Sequence, residues 1–530
     1  MKDSGNDMKR EVGLISLTFV GVSGVIGSGW LFAPLLAAQM AGPASLVAWL
    51  IGGCAIMLLA LSFAEISAML PVSGGIARVP HFSHGNVVST AMGWSAWIGY
   101  NTTAPIEVEA MLRYLDPFFP SLYGPPAAGH GSTFGDLTAT GVVVATITLL
   151  IFTVLNLFGV RLFARFNASI TWFKIAIPLV VAGVLIWDNF EVGNFTAVGG
   201  FSPMGLQGIL GSIASGGIIF AYIGFRHTID MAGEAKNPQV TVPLAIIFSL
   251  VICFLIYGAL QLAFIGALPE SSLQNGWPQL SFKGDLGPVS ALATSIGLLW
   301  LVSLLNVGAV ISPLGGGLVA VGSMGRLAHA LSRNGFFPIF MQKLNRYSVP
   351  ARALFINFLV STTVFVALPF DEVVSLNGAA IILSFIAGPI AVAALRKIDP
   401  ERKRSFKLPL LFLTGPAAFV IATLIIYWSG WDTFVILAGC LLVGSILFLL
   451  RMYKAGMSEM DIKPAVWMVP YLSGLCLISY LGSFGGGLGV IPFGWDIVVV
   501  SVFSISIYWI AVKGCLSTAQ YESYLAEEEI

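Results

Sequence analysis

The 530-residue chain is 57% hydrophobic and only 10% charged, and its mean hydropathy is strongly positive. A soluble chain carries about 25% charged residues, so a soluble fold is excluded and an all-α integral membrane protein is indicated. Lysine plus arginine and aspartate plus glutamate balance at 26 each, and there is no aromatic-basic array, so no nucleic-acid partner is expected and the partners are the lipid bilayer and whatever a buried site selects.

Residues 1–11 are polar, and no short apolar region with a small-residue cleavage site follows, so no removable signal peptide is expected. Apolar runs bounded by charge, proline or loop signals then number about fourteen: 13–40, 43–70, 86–114, 138–159, 166–187, 207–234, 241–267, 289–333, 350–368, 373–396, 409–428, 432–453, 465–482 and 495–513. A bilayer's hydrocarbon core needs about 20 helical residues, so each reads as a span. With the N-terminus placed inside, 22 of the 26 basic residues fall in inner connections, only Arg113 and Lys283 fall outside, and Lys174 and Arg226 lie within spans. The positive-inside rule then puts both termini in the cytoplasm. Four of the five cysteines (Cys54, Cys253, Cys440, Cys476) lie in apolar runs and none forms a CxxC pair, so neither a disulfide framework nor a metal site is expected.

Run one is interrupted by Gly24, Gly27 and Gly29 where a plain span would place Leu or Ile. Glycine costs roughly 1 kcal/mol per helical position relative to alanine, and open backbone at that depth survives only where protein covers it or it lines a cavity. The stretch reads either as a broken helix beside a binding site or as a close helix crossing, since Gly24 and Ser28 also form a small-xxx-small pair. If broken, the outer half-helix starts near Gly27. The N–H groups of Gly27, Ser28, Gly29 and Trp30 then face the midplane with the positive end of the dipole, which suits a carboxylate. In run three, Glu107 and Glu109 are two apart and point to different faces; one is expected to face the cavity and the other to pair with Arg113. His81 and His84 precede that run in the inner loop and read as solvated.

Lys174 in run five lies nine residues past Arg165, about 13 Å along a helix axis, and hence near mid-membrane. A charge so placed is a functional-site hypothesis by default; the alternative is a lysine that stays charged and staples run five to run one. Run six carries a second interrupted stretch, Ser212-Ile-Ala-Ser-Gly-Gly-Ile-Ile-Phe-Ala-Tyr-Ile-Gly224. Its first half-helix is expected to end near Phe220 and Ala221, freeing the carbonyls of Ile218, Ile219 and Ala221 for an ammonium. Phe220 and Tyr222 would then be aromatic walls or core. Arg226 opens the second half-helix, where dipole and guanidinium add and favour an acidic side chain. Asp230, four residues on, offers an internal partner instead. Run eight is too long for one straight span and is expected to bend at Pro313, next to Gly315, Gly316 and Gly317. The segment 396–407 is a basic inner loop, runs eleven to fourteen look peripheral, and the acidic tail Glu527, Glu528 and Glu529 is expected to be disordered.

Runs one and six begin two five-span halves that run in opposite directions by the charge count. Matching interruptions in inverted halves point to a transport site at the midplane. Gly24-Val-Ile-Gly-Ser-Gly-Trp30, Ala64-Glu65 with Leu70-Pro71 and Ser73-Gly74-Gly75, and Phe220-Ala-Tyr-Ile-Gly-Phe225 leading to Ala232-Gly233-Glu234 and Asn237-Pro238 resemble the amino acid-polyamine-organocation (APC) transporters. Trp428-Ser-Gly-Trp431 and Gly482-Ser-Phe-Gly485 are similar to the branch that contains bacterial aspartate-proton symporters. The resemblance implies a LeuT-type 5+5 inverted repeat with broken helices one and six: 13–187 as the first half, 207–396 as the second, 409–513 as four accessory spans, and 1–12 and 514–530 as cytoplasmic ends. It also implies that Phe173-Lys174-Ile175 puts an ammonium where sodium sits in sodium-coupled relatives, that Glu107 faces the site and carries a proton, and that Gly24, Glu65, Gly224, Asp230 and Glu234 serve gating or structure. A glutamate often follows Phe-x-Gly-Phe in such relatives, so Arg226 departs from the pattern.

The sequence thus indicates a secondary active amino acid transporter, proton-coupled, with an acidic substrate preferred and no cofactor beyond the coupling proton. An ionised Glu107 facing the site would instead suit a cationic substrate. An amino acid or polyamine exchanger without net proton coupling and a non-transporting sensor are the alternatives. A membrane-embedded hydrolase lacks HExxH, GxSxG or paired aspartates, and a channel lacks a pore ring or filter repeat.

Overall fold

The computed structural model describes residues 10–72, 74–124, 135–158, 160–281, 287–455 and 460–527, the side chains of 160–166, 371, 451, 452, 454 and 455 aside. Lys2, Lys9, Lys283, Ser73, the side chains of Arg161, Arg165, Arg451 and Lys454, and Glu528 and Glu529 lie outside the described residues.

The chain folds into helices. In order they are α1 (Leu14–Val25), α2 (Gly29–Ala41), α3 (Ser45–Met69), α4 (Gly75–Leu115), α5 (Ala139–Asn156), α6 (Val160–Asn189), α7 (Gly205–Ala214), α8 (Ile218–Tyr222), α9 (Arg226–Asp230), α10 (Pro238–Gly266) and α11 (Pro288–Ser295). There follow α12 (Leu299–Arg333), α13 (Ala351–Ala367), α14 (Phe370–Phe385), α15 (Ala387–Ile398), α16 (Leu411–Trp428), α17 (Trp431–Ala455), α18 (Ile462–Ala465), α19 (Met468–Leu481), α20 (Trp495–Lys513) and α21 (Thr518–Glu527). Proline opens α10 and α11 at positions where a missing N–H is harmless. The Thr138 hydroxyl caps α5 by accepting from Gly141 N–H at 3.1 Å.

Among the described residues ten helices are long and apolar enough to cross a membrane, or eleven if α7 with α8 and α9, bent by 44° at their break, is one span. The helix α4 sits at the centre, packed on α12 and α14, while α10 packs on α3, α1 and α6. Burial separates core from rim: 94% of the Glu372–Ile398 window is buried against 22% of Trp431–Leu450. Outward faces of α5, α6, α17 and α20 carry exposed Val143, Ile147, Trp172, Leu442, Ile446, Val502 and Trp509. Such faces are stable only against lipid or another apolar surface.

Several expectations are corrected. Run eight breaks at residues 296–298, between α11 and α12, and α12 continues as helix through Pro313. Gly315, Gly316 and Gly317 serve close packing there instead, facing Lys174, Glu107 and Phe152. The helix α4 begins at Gly75, ahead of the expected run, and kinks at Gly85 (φ +77°). His81 and His84 are therefore buried in it, and both His84 ring nitrogens are engaged, with the Ser83 hydroxyl (2.9 Å) and Ala511 O (3.1 Å). The acidic tail is helical through Glu527.

At the α4 kink the Asp461 carboxylate does what an N-cap side chain does, but from a distant segment. Its Oδ2 accepts from Asn86 N–H (3.0 Å) and from the Tyr524 hydroxyl (2.6 Å), and Oδ1 accepts from Gln520 (3.1 Å). One side chain thus joins the kink of the central helix to α21. Asp461→Ala should cost about 1 kcal/mol, the usual value of a cap. It should lower the apparent melting temperature in detergent and expose α21 to limited proteolysis; an α21 as resistant as wild type would contradict this.

Candidate functional site

The first interruption is three residues long. Ile26 closes α1 on Val22 O, Gly27 N–H turns back to Val25 O at 2.9 Å, and α2 resumes at Gly29. Ser28 N–H is left at the head of α2, and it donates to Glu107 Oε2 at 2.7 Å. A carboxylate from α4 thus occupies the positive end of the half-helix. It is packed between glycines: a Cβ on Gly27 would come within 2.7 Å of Glu107 Cδ, and one on Gly316 within 3.0 Å. The predicted anion seat exists, but its occupant is Glu107, and the Gly27 amide is already used. Glu109 points away and pairs with Arg113 at 3.7 Å.

Lys174 reaches the other side of the same break. Its Nζ donates to Ser23 O (2.5 Å) and to the Ser23 hydroxyl (3.0 Å), and a Cβ on Gly315 would lie 2.9 Å from it. Consecutive glycines of α12 therefore floor the ammonium and the carboxylate, both buried. The Tyr257 hydroxyl of α10 donates to Val25 O, the last carbonyl of α1, at 2.6 Å.

The second interruption lies at residues 215–217, between α7 and α8, with Gly217 at φ +81°. This corrects the expected end near Phe220 and Ala221: residues 218–222 are helical again. Ile219 O accepts from Ile223 N–H, and Ala221 O lies 3.4 Å from the Tyr257 hydroxyl, so the carbonyls of this turn are not all open. Ile218 is buried against Gly52, and half-buried Phe220 packs with Ile106, Phe370 and Val373. Tyr222 lies edge-on to Trp49 and Tyr257 as part of the core. Gly29 packs on Ala221, and Trp30 is buried against Gly308.

The two interrupted helices meet backbone to backbone. A Cβ on Gly224 would fall on the backbone of Gly24 and Val25, and one on Gly24 would come within 2.9 Å of Gly224 O. Broken helix and close crossing are thus the same feature.

The predicted pair of Arg226 with Asp230 is not formed. Arg226 lies over the Tyr100 ring, 4.4 Å from its centroid, and its Nη2 donates to the Thr103 hydroxyl at 2.6 Å. The Tyr100 hydroxyl hydrogen-bonds Asp230 Oδ2 and so stands between the two charges. Arg226 Nε and Nη1, Asp230 Oδ1 and His227 Nδ1 are buried with no hydrogen-bond partner. Glu65 and Glu234 differ: Glu65 accepts from both Arg396 Nε (2.8 Å) and Nη2 (2.6 Å) and from Leu408 N–H (2.6 Å), and Glu234 pairs with Arg326. These are closed ion pairs between helices, which suits a structural or gating role.

Sequence reasoning missed Ser23, Tyr100, Thr103 and Asn377. The signal for the α4 residues was available, since Tyr-Asn-Thr-Thr at 100–103 places four hydrogen-bonding side chains inside a span. No sequence signal marks Asn377.

The amino acid permease family model matches residues 12–448. A glutamate/serine transporter of Bacillus subtilis is 36% identical over 518 residues, covering 97% of this chain and 95% of the relative. An aspartate-proton symporter of the same organism is 34% identical over 517 residues, covering 96% and 97%. A branched-chain amino acid permease, also from B. subtilis, is 28% identical over 459 residues, covering 84% and 94%.

The glycine contact gives a stability test that needs no ligand. Gly224→Ala must push α1 from the α8–α9 segment and should lower the apparent melting temperature sharply. Gly258→Ala, whose Cβ meets nothing within 4 Å on α10, should leave it unchanged or raise it slightly. Equal effects would mean that the crossing is not tight.

Proposed function

The chain belongs to the amino acid permease family of the APC superfamily, and on that premise we propose that it is a proton-coupled secondary active transporter taking up an acidic amino acid. The observation that carries the proposal is the Arg226 guanidinium, buried with Nε and Nη1 unpaired, one turn of α4 from the carboxylate seat at Ser28. Thr103 holds Arg226 and Glu107 holds Ser28; four residues of helix separate them by about 6 Å. An amino acid with carboxylates at both ends spans such a gap, one on the α2 amide and one on the arginine fork, which takes carboxylates bidentately. The names of the glutamate/serine transporter and the aspartate-proton symporter agree with an acidic substrate.

Proton coupling follows from competition for one donor. Ionised, Glu107 holds the Ser28 amide; protonated, it yields the seat to the substrate's α-carboxylate, so substrate and proton enter together. Lys174 braces the break through Ser23, in the place that resemblance gives to sodium, and proton release from its buried ammonium loosens that brace during the cycle. Alternating access is a rocking of α1–α2 and α7–α9 against α4 and α12. In this reading fourteen spans cross the inner (plasma) membrane with both termini cytoplasmic. The count takes α1 with α2 as one span, α4 from Gly85 onward as another, and α13 as the ninth. Residues 13–187 and 207–396 are the inverted halves of a LeuT-type 5+5 repeat, and 409–513 the accessory spans.

Uptake of labelled aspartate into proteoliposomes tests the proposal. An imposed inward proton gradient should drive accumulation and a sodium gradient should not; sodium-driven accumulation alone would overturn the coupling assignment. Lys174→Ala should abolish proton-driven accumulation while substrate binding persists. Arg226→Gln should weaken aspartate binding by roughly 10- to 100-fold, the value of a lost charge-assisted contact, and alanine binding far less. Equal losses for the two ligands would refute acidic-side-chain recognition.

A further inference from the structure

Arg226 and Asp230 are four residues apart on one short helix, both buried, each with unpaired polar atoms. Opposite charges at that spacing normally meet, and an unpaired charge in an apolar interior is costly. Something must hold the arginine off. On one side is the Tyr100 ring, whose face carries the guanidinium and whose hydroxyl is engaged by Asp230. On the other is the Thr103 hydroxyl. Its single proton is committed to Gly99 O at 2.7 Å, so its lone pairs face outward, accepting from Arg226 Nη2 at 2.6 Å and from Asn377 Nδ2 at 2.8 Å. Asn377 is fully buried on α14, and its Nδ2 also lies within hydrogen-bond distance of Gly99 O (2.5 Å) and the Thr102 hydroxyl (2.9 Å), so its two protons are shared among three acceptors of α4. The hydroxyl thus accepts where α4 and α14 meet, with its own proton turned back to Gly99 O.

We infer that Thr103 and Asn377 are positioning residues that keep Arg226 from collapsing onto Asp230, and so set the preference for acidic over neutral side chains. The inference rests on the acidic-substrate reading above. Without the Thr103 acceptor, Arg226 turns to the open Asp230 Oδ1, closes the internal pair, and leaves the substrate's side-chain carboxylate without its fork. The arginine is still present in such a variant, but its charge is spent.

The test is the ratio of aspartate to alanine affinity, measured as KM in proteoliposome uptake and as Kd for the purified transporter. Thr103→Val and Asn377→Ala should each lower the ratio by about tenfold or more, whereas Thr103→Ser, which keeps the hydroxyl, should retain it. Adding Asp230→Asn to Thr103→Val removes the partner onto which Arg226 collapses and should restore the ratio. A role confined to packing α4 on α14 predicts no rescue. Should Thr103→Val fail to purify as a monodisperse protein, Asn377→Ala and its double variant with Asp230→Asn carry the same comparison. If Arg226→Gln itself leaves the ratio unchanged, the acidic-substrate reading falls. If Arg226→Gln lowers the ratio while Thr103→Val and Asn377→Ala keep it, or if Asp230→Asn rescues nothing, the positioning role alone is overturned.

Discussion

The contact between Gly24 and Gly224 is the constraint on which the rest of this structure depends. Two helices are interrupted deep in an apolar assembly, where each uncovered backbone group costs several kcal/mol because no water satisfies it. They survive because the main chains approach until a single Cβ would separate them. That contact sits just before the first interruption, and the second is met by α2, where Ala33 lies 3.3 Å from a Cβ on Gly217. The remaining openings are filled by side chains chosen for the backbone groups they meet: Tyr257 on Val25 O, Lys174 on Ser23 O, and Glu107 on Ser28 N–H.

Two groups of charged residues among those described differ in how they are held. Glu65 with Arg396 and Arg404, and Glu234 with Arg326, are closed pairs bridging elements far apart in sequence. Their desolvation is offset by near-ideal fork geometry, the condition under which a buried pair is tolerated. Lys174, Glu107, Arg226 and Asp230 are held mostly by neutral partners, and Arg226 and Asp230 keep unpaired atoms. All four lie around the two interruptions. A partly satisfied polar cluster is destabilising in proportion to its burial, so these four charges mark a part of the molecule whose arrangement is not governed by stability alone.

An all-helical membrane chain, the first interruption and the burial of Lys174 and Glu107 beside it were legible in the sequence, because glycine clusters and solitary charges stand out against apolar runs. Positions set by tertiary contact were not. The second interruption falls at 215–217, ahead of the expected place, because a single helical turn, Ile218–Tyr222, restarts before the 3₁₀ segment at Ile223–Phe225. Pro313 signals an interruption, yet α12 runs unbroken through it, with Lys174, Glu107 and Phe152 packed on the glycines that follow. Arg78, Arg326 and Arg396 count as inner-loop charges, yet all three engage side chains hundreds of positions or several helices away. Local spacing offered Asp230 as the partner of Arg226, and only the fold reveals that Tyr100 intervenes.

A carboxylate already seated on the α2 amide sharpens what the site can do. Had Ser28 N–H been open, any small anion would suit it, and binding would carry no information about protons. With Glu107 in place, an arriving carboxylate must displace a like charge or find that charge neutralised. Gly27 and Gly316 pack directly on the Glu107 carboxyl group. Repulsion between two desolvated anions at such range exceeds the value of the single amide bond they contest, so simultaneous occupancy in ionised form is excluded on energetic grounds. On the proposed function, that competition would tie the ligand's charge to the protonation state of one α4 residue. On that reading the link does not depend on which side chain the Arg226 end of the site selects.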